Sequence, residues 1–193
     1  RGKDSSGIVR YRGGVYEINR ADYDIKKLLK NVEPFNSKLL LGHSRLITNS
    51  LKDNQPVVRN DLFVIHNGII VNDDEIWTEL GLNRQTSLDS EVIAGILEAK
   101  LAEGHSLEQI PRQVFDKCKG VVSAAIGLPK LGKLILFSNN GSLYVGHRDE
   151  TVLFASEEFP LIKLACKNVR QINDEFVLLD IPTSNVSINL VED

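Results

Sequence analysis

The sequence predicts an α+β domain in which antiparallel sheets are covered by helices. Short runs of apolar and β-branched residues occur in both halves of the chain, and they cluster as hairpins. Helical patterns fall mostly in the middle of the chain, and the alternation of strand and helix that is typical of a parallel doubly wound sheet is missing. A chain of 193 residues fits one domain and can bury a sizeable core.

The predicted strands are short apolar runs at residues 7–12, 15–19, 38–42, 62–65, 120–128, 133–138, 143–145, 151–155, 175–180 and 186–190. The first two are joined by Gly13-Gly14, which is typical of a hairpin turn. Residues 127–133 read Gly-Leu-Pro-Lys-Leu-Gly-Lys and resemble a phosphate-binding loop. Leu134 follows where a Ser or Thr would bind Mg²⁺, and strand-like runs lie on both sides, so a hairpin loop is predicted instead.

The predicted helices are residues 22–29, 73–80, 89–103, 107–118 and 159–165. The acidic run at 73–75 suits the positive end of a helix dipole. Val92, Ile96 and Ala99 recur at i, i+4 and i+7, so they fall on one helical face. Asp89 is predicted to be the N-cap of this helix, with the next two residues in its first turn.

Composition and charge exclude several classes of protein. The net charge is -3 and no basic run stands out, which argues against binding to nucleic acid or to an anionic membrane surface. No apolar run approaches the roughly 20 residues that span a bilayer. Two cysteines form no disulfide framework, so a cytoplasmic protein is expected. The chain begins at Arg1 and contains no Met, so we expect that residues precede it.

The thiols and imidazoles show no metal-binding pattern. Cys118 lies at a predicted helix end and Cys166 in an apolar run, so both are predicted to be buried, inert thiols. The four histidines are far apart in sequence, and neither His-x-x-x-His nor Cys-x-x-Cys occurs. We therefore predict no metal site and no cofactor.

The triplet His66-Asn67-Gly68 follows one apolar run and leads into another. An Asn-Gly pair usually marks a tight turn, because Gly tolerates positive φ and Asn nearly does. Held at the end of a buried strand, the Asn side-chain N–H and the Gly backbone N–H could instead form an oxyanion hole. Taken alone, the triplet leaves both interpretations open.

Two polar segments accompany this triplet. Residues 42–49 carry several polar side chains directly after an apolar strand, and functional loops commonly follow the strands of a rigid scaffold. Arg45 has the planar fork that binds a carboxylate in two places, although this segment alone favours a surface salt bridge. The second segment, residues 87–90, suits a helix start, and a capping carboxylate at Asp89 can also bind an ammonium group.

Seven segments in order resemble the class II glutamine amidotransferases. They are residues 1–7 (RGKDSSG), 42–48 (GHSRLIT), 54–57 (NQPV), 66–72 (HNGIIVN), 88–93 (LDSEVI), 119–120 (KG) and 154–157 (FASE). Single segments are weak signals, but together they cover nearly the whole chain. The motif style is similar to that of the glucosamine-6-phosphate synthases.

The resemblance implies a four-layer α-β-β-α fold of the N-terminal-nucleophile hydrolases, with two stacked antiparallel sheets. It also implies that a cysteine thiolate attacks the side-chain amide of L-glutamine, that ammonia leaves, and that a glutamyl thioester is hydrolysed. The resemblance further implies that ammonia passes to a synthase domain or subunit for amino-sugar synthesis. Homo-oligomerisation is compatible with this picture.

The resemblance assigns roles to five residues. Arg45 would hold the α-carboxylate of glutamine with Thr48 beside it as a hydroxyl donor, and Asp89 would take the α-ammonium. Asn67 and Gly68 would form the oxyanion hole. Arg1 and Asp4 are expected to form a buried structural pair.

The chain departs from the family at its start, because the family nucleophile is an N-terminal cysteine and residue 1 is arginine. Neither cysteine of the chain lies in a matching motif. Residues 1–193 are therefore expected to be a glutaminase domain that lacks its first strand and nucleophile, with that cysteine upstream. The alternative is a catalytically inactive module that binds glutamine or a partner. Leu46 and Asn49 also stand where sugar-phosphate relatives usually carry Trp and His.

Overall fold

The computed structural model describes residues 2, 4–32, 37–46 and 54–192, which contain twelve strands and five helices. The strands are β1 (Ser5–Arg12), β2 (Val15–Ala21), β3 (Leu39–Arg45), β4 (Val57–Arg59), β5 (Leu62–Ile70), β6 (Gly120–Leu128), β7 (Lys133–Ser138), β8 (Tyr144–Arg148), β9 (Thr151–Ala155), β10 (Lys167–Gln171), β11 (Glu175–Asp180) and β12 (Asn189–Glu192). The helices are α1 (Ile25–Val32), α2 (Asp73–Leu80), α3 (Glu91–Ala102), α4 (Ile110–Lys117) and α5 (Glu158–Lys163).

The strands form three sheets within the described chain. The first has the order β12-β2-β1-β3, the second β11-β7-β6-β5-β4, and the third β10-β8-β9. Neighbouring strands are antiparallel except β12, which runs parallel to β2. The third sheet shares a core with the first two, because Val145 on β8 packs in the same cluster as Val9 on β1 and Phe63 on β5.

Helices cover the outer faces of the two larger sheets. On the five-stranded sheet, Val64 and Ile126 pack against Val92 and Ile96 of α3. On the four-stranded sheet, Ile8 packs against Leu28 of α1, among other residues. The inner faces of the sheets meet in a separate apolar cluster. The order is therefore helix, sheet, sheet, helix, which confirms the predicted four-layer α-β-β-α fold.

Most of the predicted elements occur close to their predicted positions. Gly13 and Gly14 both have positive φ and join β1 to β2, as expected for the hairpin. Residues 129–131 form a short 3₁₀ turn between the paired strands β6 and β7. The prediction of a hairpin loop in place of a phosphate-binding loop is therefore confirmed.

Two strands were not predicted: β10 carries little apolar signal, and β4 is short. In β10 only Val169 is half-buried and the other four side chains are exposed. In β4 the paired segment is three residues long. The last strand was also misplaced, since it begins at Asn189 and not at Val186.

Three local expectations differ from the structure. Of the two interpretations of Asn67-Gly68, the tight turn is wrong, because the pair lies inside β5, which continues to Ile70; the oxyanion-hole interpretation stays a prediction. Asp89 is not the N-cap of α3, since the cap residue is Ser90 and the Asp89 carboxylate binds elsewhere. Cys166 is half-buried, whereas Cys118 is buried as predicted.

The expected buried pair at the chain start is not supported. Asp4 is exposed, and Arg1 lies outside the described residues. Within the described chain, no helix is long and apolar enough to cross a membrane.

Candidate active site

The candidate site begins at the free edge of β5. Strand β4 pairs with β5 only as far as Val64, so the edge beyond that residue is open to side chains. The His66 N–H donates to Gln55 Oε1 over 2.7 Å, and the Ile70 N–H donates to Asp89 Oδ2 over 2.8 Å. In a regular strand, alternate N–H groups point to the same edge. The N–H of Gly68, midway between these two, is therefore directed at the gap between Gln55 and Asp89.

Gly68 fits this position because it has no side chain. Its φ is 154°, a conformation that L side chains rarely adopt. A Cβ atom at this residue would lie 1.8 Å from the carbonyl oxygen of Val121 on the neighbouring strand. The close pairing of β5 with β6 thus requires glycine here, and Gly68 lies in the exposed part of the strand.

The Asn67 side chain lies on the inner face of β5, in a pocket between two sheets. This side chain is exposed and faces the same way as Ile65, toward the space between the inner sheet faces. The pocket has a volume of about 470 Å³, and its walls include His43 of β3 and Phe154 of β9. Asn67 can therefore present its amide to a molecule that enters this pocket.

His43 contributes an unsatisfied acceptor to the same pocket. Its Nδ1 is buried and has no hydrogen-bond partner within the described part of the chain. Burial lowers the pKa of His43 to about 4, with smaller contributions from His66 and Arg45, against a hydrogen bond with the His66 backbone that raises it. The imidazole is therefore neutral at physiological pH, and its Nδ1 can accept a hydrogen bond.

Arg45 ends β3 and is half-buried. It lies two residues after His43, so both side chains project from the same face of the strand. The carbonyl of Arg45 accepts a hydrogen bond from the Asp4 N–H over 3.3 Å. Thr48, the predicted neighbour of Arg45 at the substrate, lies outside the described residues.

The loop that carries Asp89 is fixed by a buried carboxylate. Glu91 is fully buried and accepts hydrogen bonds from the backbone N–H groups of Gln85 and Thr86, at distances between 2.6 and 3.0 Å. It also forms a 2.7 Å ion pair with Arg59, which is 6% exposed. These contacts hold the segment before α3 against β4, and they set the position of Asp89 next to β5.

The structure thus places Asn67 and Gly68 within the last part of β5, and Asp89 at the free edge of the same part of the strand. It also adds polar groups to the site that sequence reasoning did not assign, namely His43, Gln55, His66 and Ser90. All four lie in or beside the polar segments of the sequence. Their mutual contacts depend on long-range pairing and packing, which no local pattern in the sequence indicates. Within the described residues, no group of three or more His, Cys, Asp or Glu side chains is placed to hold a metal ion.

Comparison with protein families identifies the kind of domain that carries this site. The family described as the glutamine amidotransferase domain matches residues 43–163, more than half of the chain. The chain belongs to this family. The matched region includes Arg45, the His66-Asn67-Gly68 triplet and Asp89, so the resemblance found in the sequence is confirmed.

Relatives of the amidotransferase chain include larger enzymes. Glutamine–fructose-6-phosphate aminotransferase [isomerizing] of Caulobacter vibrioides is 28% identical over 189 residues, covering 93% of this chain and 31% of the relative. The protein of the same name from Mesorhizobium japonicum is 29% identical over 171 residues, covering 83% of this chain and 28% of the relative. The chain thus spans about a third of the length of these relatives.

Solved structures show the same fold at lower identity. Glutamine phosphoribosylpyrophosphate amidotransferase from B. subtilis matches with a TM-score of 0.76 and 23% identity, covering 93% of this chain and 41% of that one. A predicted glutamine amidotransferase from Pseudomonas aeruginosa matches with a TM-score of 0.56 and 16% identity, covering 92% and 85% of the two chains. These matches support the α-β-β-α architecture of the amidotransferase domain.

Proposed function

We propose that the chain is a glutaminase domain that hydrolyses L-glutamine to glutamate and ammonia. The observation that carries the proposal is the free edge of β5, where the Gly68 N–H lies between Asp89 and Gln55, and Asn67 opens into the adjoining pocket. The ammonia would pass to a synthase domain or subunit, and the sugar-phosphate relatives point to amino-sugar synthesis.

The chemistry needs donors for a developing negative charge. A thiolate attacks the δ-carbonyl carbon of glutamine, and the C=O electron pair moves onto oxygen to form a tetrahedral oxyanion. The Asn67 amide and the Gly68 N–H would stabilise this oxygen. Collapse of the intermediate breaks the C–N bond, and the nitrogen takes the proton that the thiol gave up and leaves as ammonia. Water then hydrolyses the remaining thioester, which releases glutamate and restores the thiol.

The two charged ends of glutamine would meet opposite charges. Asp89 uses Oδ2 to accept the Ile70 N–H, and the carboxylate retains lone pairs for the α-ammonium. Arg45 would hold the α-carboxylate through its guanidinium fork, with Thr48 as a hydroxyl donor. Both ends of the substrate would then be fixed around the Asn67 and Gly68 donors.

The nucleophile is proposed to be a cysteine on a segment that precedes residue 1. Burial raises the pKa of the Cys118 thiol to about 12, which makes it a poor nucleophile, and Cys166 does not line the pocket. Among the described strands, β3 pairs only with β1, and β9 pairs only with β8. Since both open edges border the pocket that contains Asn67, an additional strand between them would bring its end close to this residue.

Replacement of Asn67 tests the oxyanion role. In the full-length protein as encoded, including any residues before Arg1, Asn67→Ala should lower kcat for glutamine hydrolysis by roughly 10²- to 10³-fold, because one donor is lost. Release of glutamate measures the effect. The matched control is Asn173→Ala, an exposed asparagine outside the pocket, which should leave kcat unchanged. Equal activity of the Asn67→Ala variant and wild type would contradict the role.

The alternative is a module that binds glutamine without turning it over, and the inert Cys118 thiol favours this behaviour for residues 1–193 alone. Calorimetry with L-glutamine separates the possibilities. Binding that is lost in Arg45→Ala and Asp89→Asn, together with turnover in the full-length protein, supports the glutaminase. Binding without turnover in the full-length protein supports the module, and unchanged affinity in both variants rejects the pocket in either case.

A further inference from the structure

A closed ring of hydrogen bonds lies directly behind the Asn67 and Gly68 donors. The His66 N–H donates to Gln55 Oε1 over 2.7 Å, and Gln55 Nε2 donates to Ser90 Oγ over 3.1 Å. Ser90 Oγ lies 3.0 Å from His66 Nδ1, which returns the ring to the residue where it began. All three side chains are buried, with exposed fractions of 5% for Gln55, 2% for His66 and 0% for Ser90.

Only one arrangement of protons satisfies this ring with a neutral His66. The second ring nitrogen of His66, Nε2, lies 3.1 Å from the Val121 carbonyl oxygen, which can only accept. Nε2 therefore carries the proton, and Nδ1 accepts the hydroxyl proton of Ser90. Burial lowers the pKa of His66, which favours this neutral form.

The ring connects both halves of the substrate site. His66 immediately precedes Asn67 and Gly68, and Ser90 immediately follows Asp89. Ser90 Oγ also lies 3.3 Å from Asp89 Oδ1, so its single proton can go either to His66 or to Asp89. When the Ser90 hydroxyl donates its hydrogen bond to His66 Nδ1, Asp89 Oδ1 keeps its lone pairs for a bound ammonium group.

We propose that Gln55, His66 and Ser90 are positioning residues for glutamine hydrolysis. They fix the direction of the Gly68 N–H, and they keep the Ser90 hydroxyl turned away from the Asp89 oxygen that receives the substrate ammonium. This role rests on the proposed function, since it requires glutamine to bind at Asp89 and react beside Gly68. None of the three side chains needs to touch the substrate.

Substitution of Ser90 in the full-length protein tests the role. Ser90→Ala removes the hydroxyl that closes the ring, and kcat/KM for glutamine should fall about 10- to 100-fold, as expected for displaced reacting groups. Ser90→Thr keeps the hydroxyl and should retain kcat/KM within about threefold of wild type by the same reasoning. Retained activity in Ser90→Ala would overturn the proposal, and so would a fall of equal size in Ser90→Thr with its fold intact.

The ¹⁵N NMR spectrum of His66 gives a readout that does not depend on turnover or on any variant. In the wild-type chain at neutral pH it should show a neutral imidazole protonated at Nε2, with Nδ1 as acceptor. A protonated ring, or a proton on Nδ1, would overturn the proposal even if Ser90→Ala failed to fold. In a folded Ser90→Ala variant the Nδ1 signal should move toward that of a free acceptor.

Glutamate release by wild type and by Ser90→Ala separates the positioning role from the proposed function. If wild-type protein with its upstream cysteine releases no glutamate from glutamine, the proposed function fails and the positioning role fails with it. If the wild type is active but Ser90→Ala is equally active, only the positioning role fails.

Discussion

Both the backbone conformation at position 68 and the packing around it require glycine. Its φ of 154° disfavours a side chain, and the Val121 carbonyl occupies the place where a Cβ atom would lie. Asn67 beside it is exposed to the pocket, whereas His66 is buried on the other face. Because side chains alternate along the strand, His66 is buried, whereas the Asn67 side chain and the Gly68 backbone are exposed.

Gly68→Ala should therefore destabilise the protein more than an ordinary glycine replacement. We expect the free energy of unfolding to fall by at least about 2 kcal/mol, because backbone strain is joined by a steric clash with the neighbouring strand. Denaturant unfolding measures the change. Gly13→Ala is the matched control: its φ is +61° and no atom lies within 4 Å of the added Cβ, so the loss should be about 1 kcal/mol. Equal losses would show that the clash is relieved.

His43 predicts a dependence of stability on pH. Its pKa is lowered from 6.5 to about 4 in the folded protein, chiefly by burial. Between these values the unfolded chain holds a proton that the folded chain lacks, so stability is complete above pH 6.5 and falls as the pH drops toward 4. The slope from this residue should approach roughly 1.4 kcal/mol per pH unit.

The His43→Gln variant isolates this contribution, because glutamine keeps a polar side chain but does not titrate. Urea unfolding at several pH values should show a shallower acid loss of stability in the variant than in wild type. The remaining slope would include His66, whose pKa is also lowered by burial. Parallel slopes in the two proteins would contradict a buried neutral His43.

At the scale of elements, ion pairs connect α3 to β4 at the edge of the five-stranded sheet. Arg59 of β4 bonds both Glu91 and Glu98 of α3, at 2.7 and 2.8 Å. The Glu91 carboxylate also accepts the backbone N–H groups of the preceding loop. A buried charge held by this many donors orients the loop that delivers Asp89 to β5.

Glu91→Gln should be strongly destabilising, because it leaves the buried Arg59 with one carboxylate fewer. We expect a loss of about 3 kcal/mol in the free energy of unfolding, as for other broken buried pairs. The control is Glu75→Gln, which breaks the exposed pair with Lys119, whose side chains are 72% and 71% exposed. That change should cost less than about 1 kcal/mol. Similar losses in the two variants would contradict the anchoring role of Glu91.

At the scale of the whole molecule, the four-stranded and the three-stranded sheets each present an open edge strand among the described residues. The open edges of β3 and β9 border the pocket that contains Asn67, and the inner face of the five-stranded sheet forms its floor. An edge strand with unpaired backbone groups readily accepts another strand.

Hydrogen exchange tests whether an upstream segment pairs with these open edges. Amides of β3 and β9 should exchange more slowly in the full-length protein than in residues 1–193 alone, because the added strand would pair with both edges. The control is β4, the edge strand of the other sheet, whose exchange should be the same in both proteins. Equal rates at β3 and β9 would place the upstream segment elsewhere.

Prediction from sequence succeeded where local pattern and burial coincide. The hairpin of β1 and β2 is marked by Gly13-Gly14 between two strand-like runs, and the helix α3 carries its own periodicity, so these elements were predicted close to their observed bounds. Strand β10 was missed because it forms on an exposed sheet edge with polar side chains. Asp89 was misassigned as a cap because its carboxylate binds a strand N–H that is distant in sequence.

The sequence by itself determined the α+β class, the hairpins and the set of polar segments that resemble the glutamine amidotransferases. These features depend on residue periodicity and on residue type, which are local properties of the chain. Only the tertiary structure decided that Asn67-Gly68 lies within a strand and not in a turn, because pairing of β5 with β6 continues beyond the triplet. It also decided which groups meet at that strand, since Gln55, Ser90 and Asp89 reach β5 only through long-range packing.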